Sequence, residues 1–160
     1  MKLLIVVAAL IAAAHASVSA DEAALVQSTW NQVRTNEVDI LYAIFSAYPD
    51  IQARFPAFVG QDLSTLRGTA PFALHASRIV SLISQYVGLL GNDANLPAIQ
   101  TIFNEMGQTH YNRGVTAQQF AEFRTAFINY LSSQVSWGDN VAQAWNDAFD
   151  QVYAIVLSRY

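Results

Sequence analysis

Apolar residues recur every three to four positions through most of the 160-residue chain, and alternating strand-like runs are hard to find. This spacing places apolar side chains on one face of an α-helix. The pattern predicts an all-α protein of about six to eight helices, separated by prolines, glycines and short polar segments. Neither an internal repeat nor a linker divides the chain, and its length is that of one ordinary domain.

Short local motifs predict where several of the helices begin. Two capping boxes, Ser19 with Glu22 and Thr116 with Gln119, predict the starts of helices. Segment 54–66 is less regular, and the sequence predicts a short turn of helix around residues 51–55 followed by a corner that contains Pro56 and Gly60. The apolar spacing also predicts two long helices, which are joined by the polar segment 91–95 and carry the histidines discussed below.

The start of the chain has the layout of a secretory signal peptide. Lys2 is followed by an uninterrupted apolar run over residues 3–14, and small residues follow that run. The run is shorter than the roughly 20 apolar residues that a transmembrane helix needs, and nothing longer follows. We therefore expect an exported protein that does not span a membrane.

Two positions satisfy the small-residue rule for cleavage of this signal, after Ala16 and after Ala20. Cleavage after Ala16 is favoured because it keeps Ser19, the cap of the first helix, in the mature chain. The expected organisation is a signal peptide over residues 1–16 and one domain over residues 17–160.

The charge and the cysteine content of the chain argue against some classes of protein. Without residues 1–16 the chain has seven arginines and twelve acidic residues, a net charge of −5. No basic stripe is present, so the sequence does not predict a nucleic-acid-binding protein. The chain contains no cysteine, so disulfides cannot stabilise it as they do many small secreted domains.

Only two histidines follow residue 16, and both lie on the apolar faces of their helices. His75 is four residues before Ile79, and His110 is four residues after Met106. A buried imidazole needs partners for its ring nitrogens, and either a hydrogen bond within the core or a metal would serve. Spacing alone leaves both interpretations open.

A metal at these histidines would not be a closed zinc site. Such a site usually takes about four Cys, His or carboxylate ligands, and no carboxylate lies in phase beside either histidine. Two facing imidazoles instead suit haem, whose pyrrole nitrogens fill the equatorial positions and leave two axial ones. Haem also needs an apolar slot, and four phenylalanines are candidates for its walls, although each is equally explained as core: Phe55, Phe58, Phe120 and Phe123.

An ordered set of motifs runs across the mature chain. It comprises Trp30, Tyr-Pro-Asp-Ile at 48–51, Arg-Phe-Pro-Ala-Phe at 54–58, Gly-Thr-Ala-Pro-Phe-Ala-Leu-His-Ala-Ser-Arg-Ile at 68–79, His110 followed by Arg-Gly-Val-Thr at 113–116, and Phe-Arg at 123–124. With this set the sequence resembles the globins, and in particular the extracellular haemoglobins of midge larvae. The resemblance implies a globin fold around haem b and reversible binding of oxygen and other diatomic gases. It also implies a non-enzymatic monomer or homodimer in a haemolymph-type fluid.

The resemblance assigns roles to single residues. His110 matches the proximal ligand, which bonds iron through one ring nitrogen while the other donates to a backbone carbonyl, and His75 matches the distal histidine that donates to oxygen. Arg78 and Arg113 are candidates for the haem propionates, with a solvated helix face as the equal alternative. The other expected pocket residues are Phe55, Phe58, Ile79, Met106, Val115, Phe120 and Phe123.

The sequence differs from most globins in one respect, and two alternative functions remain to be considered beside oxygen binding. The interval between His75 and His110 is wider than in most globins, and the surplus is placed in the connection 91–97. The first rival is a haem enzyme, either a peroxidase or a nitric oxide dioxygenase, which would normally need more polar groups than His75 near the ligand. The second rival is a haem-free carrier of apolar small molecules.

Overall fold

The computed structural model describes residues 17–160, so the expected signal peptide over residues 1–16 lies outside the described residues. Eight α-helices form this part of the chain, and residues 17–160 contain no strand. The prediction of an all-α fold with six to eight helices is confirmed. The helices are α1 (Ala20–Val33), α2 (Glu37–Ala47), α3 (Pro49–Gln52), α4 (Leu63–Leu66), α5 (Ala70–Leu89), α6 (Leu96–Asn112), α7 (Ala117–Gln134) and α8 (Asp139–Val156), with 3-10 turns at Asp93–Asn95 and Leu157–Arg159.

Both predicted capping boxes are present. The backbone N–H of Glu22 donates to Ser19 Oγ over 3.3 Å, and the backbone N–H of Ser19 donates to the Glu22 carboxylate over 2.8 Å. Thr116 and Gln119 make the equivalent pair of bonds, each 3.2 Å long. These side chains satisfy backbone groups that have no partner inside the helix, which is why α1 and α7 begin where the sequence indicated.

The irregular segment 54–66 contains more structure than the sequence predicted. The short helix expected around residues 51–55 already ends at Gln52, and a second short helix, α4, was not predicted. The corner between them is held by the buried Gln52 amide, which donates to the carbonyls of Phe58 and Gln61 over 2.9 Å each. A polar side chain that binds buried carbonyls leaves no signal in an apolar pattern.

The core between α1, α7 and α8 is built from large aromatic side chains. The ring centroids of Trp30 and Phe127 lie 5.9 Å apart, and those of Phe127 and Trp145 lie 5.5 Å apart. Trp145 Nε1 donates to Thr29 Oγ1 over 2.9 Å, so the buried indole keeps a hydrogen-bond partner. These contacts fix the position of α8, against which α6 packs.

The two helices that carry the histidines pack on different neighbours. Helix α5 packs on α1 and α2, whereas α6 packs on α8 and the C-terminal turn. Although α5 and α6 are consecutive, they share no more than isolated contacts. One such contact joins the rings of Tyr86 in α5 and Phe103 in α6, whose centroids lie 5.2 Å apart. None of the helices in residues 17–160 combines the length and apolar character of a membrane span.

The connection between α5 and α6 is ordered by local contacts. The side-chain amide of Asn95 donates to the carbonyl of Leu89 over 2.9 Å. Gly91 has a φ of +80°, and a Cβ at this position would lie only 2.8 Å from the Cβ of Ala23 in α1. Close packing on α1 therefore requires glycine here, and it fixes the long connection to the first helix.

Candidate functional site

His110 lies near the C-terminal end of α6, and one of its ring nitrogens makes a hydrogen bond within the helix. Its Nδ1 is 2.8 Å from the carbonyl oxygen of Met106, one turn earlier. Because a carbonyl can only accept, Nδ1 carries the proton in this contact, and Nε2 keeps its lone pair for another partner. The ring of Phe120 packs beside the imidazole, with 5.7 Å between ring centroids. The arrangement fixes both the tautomer and the orientation of His110.

His75 lies in the second turn of α5 against two phenylalanines of the corner. Its ring is edge-on to Phe55 at a centroid distance of 4.5 Å and to Phe58 at 6.1 Å. Within residues 17–160 neither ring nitrogen of His75 makes a hydrogen bond. A half-buried imidazole in an apolar setting therefore retains a free donor and a free acceptor.

The electrostatic environment keeps both histidines neutral at pH 7. Burial lowers the pKa of His75, and the positive charges of Arg78, His110 and Arg113 lower it further. Burial also lowers the pKa of His110, although the hydrogen bond with Met106 partly opposes this effect. Since His75 responds to the charge of His110, the two imidazoles share one region of the protein. Neutral imidazole is the form that binds metals.

The predicted apolar walls fall into two groups. Phe58 and Phe120 are buried, with 3% and 7% of their surface exposed. The other members are only half-buried, although they pack against the core. Phe55 is one of these and lies against His75, so partly uncovered apolar surface borders this imidazole, which suits a flat, largely apolar ligand. The half-buried members are Phe55, Ile79, Met106, Val115 and Phe123.

The positions of two of these half-buried residues follow from their spacing along α5 and α7. Ile79 follows His75 by one turn of α5. Phe123 lies one turn after Phe120 on α7, and its ring stacks on Phe127 at 5.9 Å with 14° between the ring planes. Both assignments as pocket residues stay predictions.

Arg78 and Arg113 are exposed and close enough to lower the pKa of His75. Neither forms an ion pair within residues 17–160, whereas Arg124 pairs with Asp150 at 2.6 Å. Positive side chains without an acidic partner at the edge of an apolar site suit a ligand that carries carboxylates, as haem does. The same exposure suits a solvated helix face, so the propionate role stays a prediction.

The set of donor atoms fits haem better than a metal held by protein ligands alone. In the described part of the chain, no three His, Asp or Glu side chains cluster in a way that could hold a metal ion. The available ligand is the Nε2 atom of His110, with His75 in the same region. Haem brings four nitrogen ligands of its own and needs only such an axial donor together with apolar walls.

The contacts of Phe120 with Tyr153 and Tyr160 have no signature in the sequence pattern. The hydroxyl of Tyr153 donates to the carbonyl of Phe120 over 2.5 Å. The ring of Tyr160 lies edge-on to Phe120 at a centroid distance of 5.9 Å. These residues lie far from Phe120 in sequence, and they become its neighbours only because the end of α8 and the C-terminal turn pack beside the start of α7.

The sequence profile of the globin family matches residues 38–156. The chain belongs to the globin family. It is 55% identical to globin CTT-VIIB-3 of Chironomus thummi thummi over 160 residues, which cover 99% of each chain. It is 57% identical to globin CTT-Z of Chironomus thummi piger over 139 residues, which cover 87% of this globin and 85% of that one.

A solved structure agrees with these relatives. The hemoglobin component TA-VII of Tokunagayusurika akamusi superposes with a TM-score of 0.88 at 43% identity, covering 91% of this globin and 97% of that chain. The resemblance to midge haemoglobins and the predicted globin fold are therefore confirmed. Haem b is the cofactor of the globin family and oxygen binding its activity, so both predictions are confirmed, and the haem-free carrier is set aside.

Proposed function

We propose that this globin reversibly binds oxygen in an extracellular fluid, with His110 as the proximal iron ligand and His75 as the distal hydrogen-bond donor. The observation that carries the proposal is the His110 imidazole, whose Nδ1 is bound to the Met106 carbonyl and whose Nε2 is free. A second imidazole, His75, packs on Phe55 close enough for the charge of His110 to lower its pKa. When bound, haem would supply an iron that His110 could ligate and that can bind a diatomic gas.

His110 is suited to the proximal position because its Nδ1 donates to the Met106 carbonyl over 2.8 Å. This bond leaves Nε2 as the only ring atom with a free lone pair, and it increases the basicity of Nε2. The Phe120 ring, 5.7 Å away, limits rotation of the imidazole. The side chain is thus oriented before the cofactor arrives.

His75 is suited to the distal role because it is neutral and has no other hydrogen-bond partner in residues 17–160. A neutral imidazole keeps one N–H, which can donate to oxygen in the pocket. Phe55 and Phe58 pack against the ring and restrict its movement toward solvent. The same apolar side chains exclude water that would compete for the hydrogen bond.

We further propose that the protein is a carrier rather than an enzyme. The charged groups that influence His75 are Arg78, His110 and Arg113, and no carboxylate is among them. Cleavage of an O–O bond normally uses a positioned acid–base partner in addition to the distal histidine. Turnover of peroxide far above that of free haem by the purified protein would contradict the carrier assignment.

An absorption spectrum tests the proposed function directly. The purified protein, reconstituted with haem, reduced and exposed to oxygen and then to carbon monoxide, should show a Soret band that shifts with each gas. It should return to its starting spectrum when the gas is removed. A protein that takes up no haem, or whose reduced spectrum does not respond to either gas, would contradict the proposal.

Export and cleavage after Ala16 form a separate part of the proposal. Val18 is only 5% exposed, and Ser19 caps α1, so residues close to the expected cut contribute to the fold. We expect the protein secreted from insect cells to begin at Ser17, which the intact mass will show. A mass that corresponds to a start at Asp21 would contradict this assignment, and retention of the full chain inside the cell would contradict export.

A further inference from the structure

Helix α6 approaches the end of α8 unusually closely at Gly107, three residues before His110. A Cβ at position 107 would lie 3.1 Å from the carbonyl oxygen of Val156 and 3.2 Å from its Cα. Both are backbone atoms of α8, so no side-chain rotation can relieve the contact. The separation of the two helices is therefore set by the absence of a side chain at Gly107.

The residues that follow α8 hold the same part of α6. Arg159 Nη1 donates to Gln108 Oε1 over 2.7 Å. The rings of Tyr160 and Tyr111 pack edge-on with 5.4 Å between their centroids. The C-terminal turn thus contacts α6 on both sides of His110 in the sequence.

The C-terminal residues also reach His110 through a second route. The rings of Tyr153 and Tyr160 pack edge-on to Phe120, at centroid distances of 5.8 and 5.9 Å. Phe120 in turn lies 5.7 Å from the ring of His110. The position of the imidazole therefore depends both on the backbone of α6 and on a ring supported by the end of the chain.

We propose that Gly107 and Tyr160 are positioning residues for the His110 imidazole. The inference rests on the proposed role of His110 as the proximal iron ligand. Gly107 sets the distance of α6 from α8, and Tyr160 supports Phe120 against the imidazole. Neither residue touches the iron, and each acts through the placement of His110.

Gly107→Ala tests the first part. The added methyl group requires the backbones to separate by a few tenths of an ångström, which displaces α6 together with His110. We expect a shifted iron–histidine stretching band in the resonance Raman spectrum of the ferrous, gas-free holoprotein. We also expect a several-fold change in the Kd for oxygen. The matched control is Gly88→Ala, since an added Cβ on Gly88 of α5 meets nothing within 4 Å; it should leave both measurements unchanged.

Tyr160 provides a second test that leaves the backbone contact between α6 and α8 unchanged. Its hydroxyl makes no hydrogen bond within residues 17–160, so Tyr160→Phe should keep the wild-type band. Tyr160→Ala removes the ring from Phe120 and Tyr111 and should shift or broaden the band. This pair separates the effect of the ring from that of the hydroxyl.

The outcomes distinguish the inference from the proposed function. If Gly107→Ala and Tyr160→Ala keep the wild-type band and Kd while the band disappears in His110→Gly, the positioning role is overturned and the ligand assignment stands. Lower stability toward urea with an unchanged band also overturns it, because that result indicates packing alone. If the band persists in His110→Gly, the ligand assignment and the positioning role both fail.

Discussion

Replacing His110 with glycine is expected to cause rapid loss of haem from the protein. The Nε2 atom of His110 is the proposed ligand of the iron, and the other ring nitrogen, Nδ1, already donates to the carbonyl of Met106. Loss of a group that merely hydrogen-bonds a metal ligand typically weakens a site by about 10- to 100-fold. Removal of the ligand itself should exceed that range, measured as the rate of haem transfer to an excess of an acceptor apoprotein.

Added imidazole provides the control for this variant. The glycine leaves space for a free imidazole, which should restore a histidine-type spectrum and slow the loss of haem. Recovery would show that α6 and the pocket are still folded and that only the ligand was missing. A variant that keeps the wild-type spectrum and haem retention without added imidazole would remove the proximal assignment.

Replacing His75 with leucine should accelerate oxygen dissociation without expelling haem. The change removes the distal N–H but keeps an apolar side chain against Phe55 and Phe58. A hydrogen bond of this kind contributes roughly 1 to 3 kcal/mol, which corresponds to about one to two decades in rate. Stopped-flow displacement of oxygen by carbon monoxide measures the rate.

His75→Gln is the matched variant, because its side-chain amide keeps an N–H donor at the same position. It should dissociate oxygen more slowly than His75→Leu. Haem transfer from both variants should stay close to the wild-type rate, since neither change touches His110. Wild-type oxygen dissociation in His75→Leu would refute the distal role, even if haem binding is intact.

The features that depend on neighbouring residues could be predicted from the sequence. The capping boxes at Ser19 and Thr116 depend on residues three positions apart, and the structure contains both. The inward position of His75 and His110 follows from the 3.6-residue period of their helices. The long helices and the inward orientation of both histidines could therefore be predicted from the sequence.

The features that depend on distant residues could not be predicted in this way. The corner around Gln52 is stabilised by a buried amide that binds two carbonyls, which apolar periodicity does not report. The support of Phe120 by Tyr153 and Tyr160 links residues that become neighbours only after α8 has packed. The same holds for Gly107, whose importance depends on the backbone of Val156. The apolar period of a helix identifies the face that is buried, but it does not identify the element that packs against that face.

The close approach of Gly91 to α1 bears on the proposed cleavage position of the signal peptide. Position 91 packs on Ala23, and its absent Cβ would also approach the Cα of Ala20 at 3.5 Å and the carbonyl of Ser19 at 4.0 Å. Removal of residues up to Ala20 would delete Ser19 and Ala20, two of the three α1 neighbours of position 91, and would leave the connection between α5 and α6 packed on Ala23 alone. The choice between the two predicted cleavage positions would therefore also affect how firmly this connection is held.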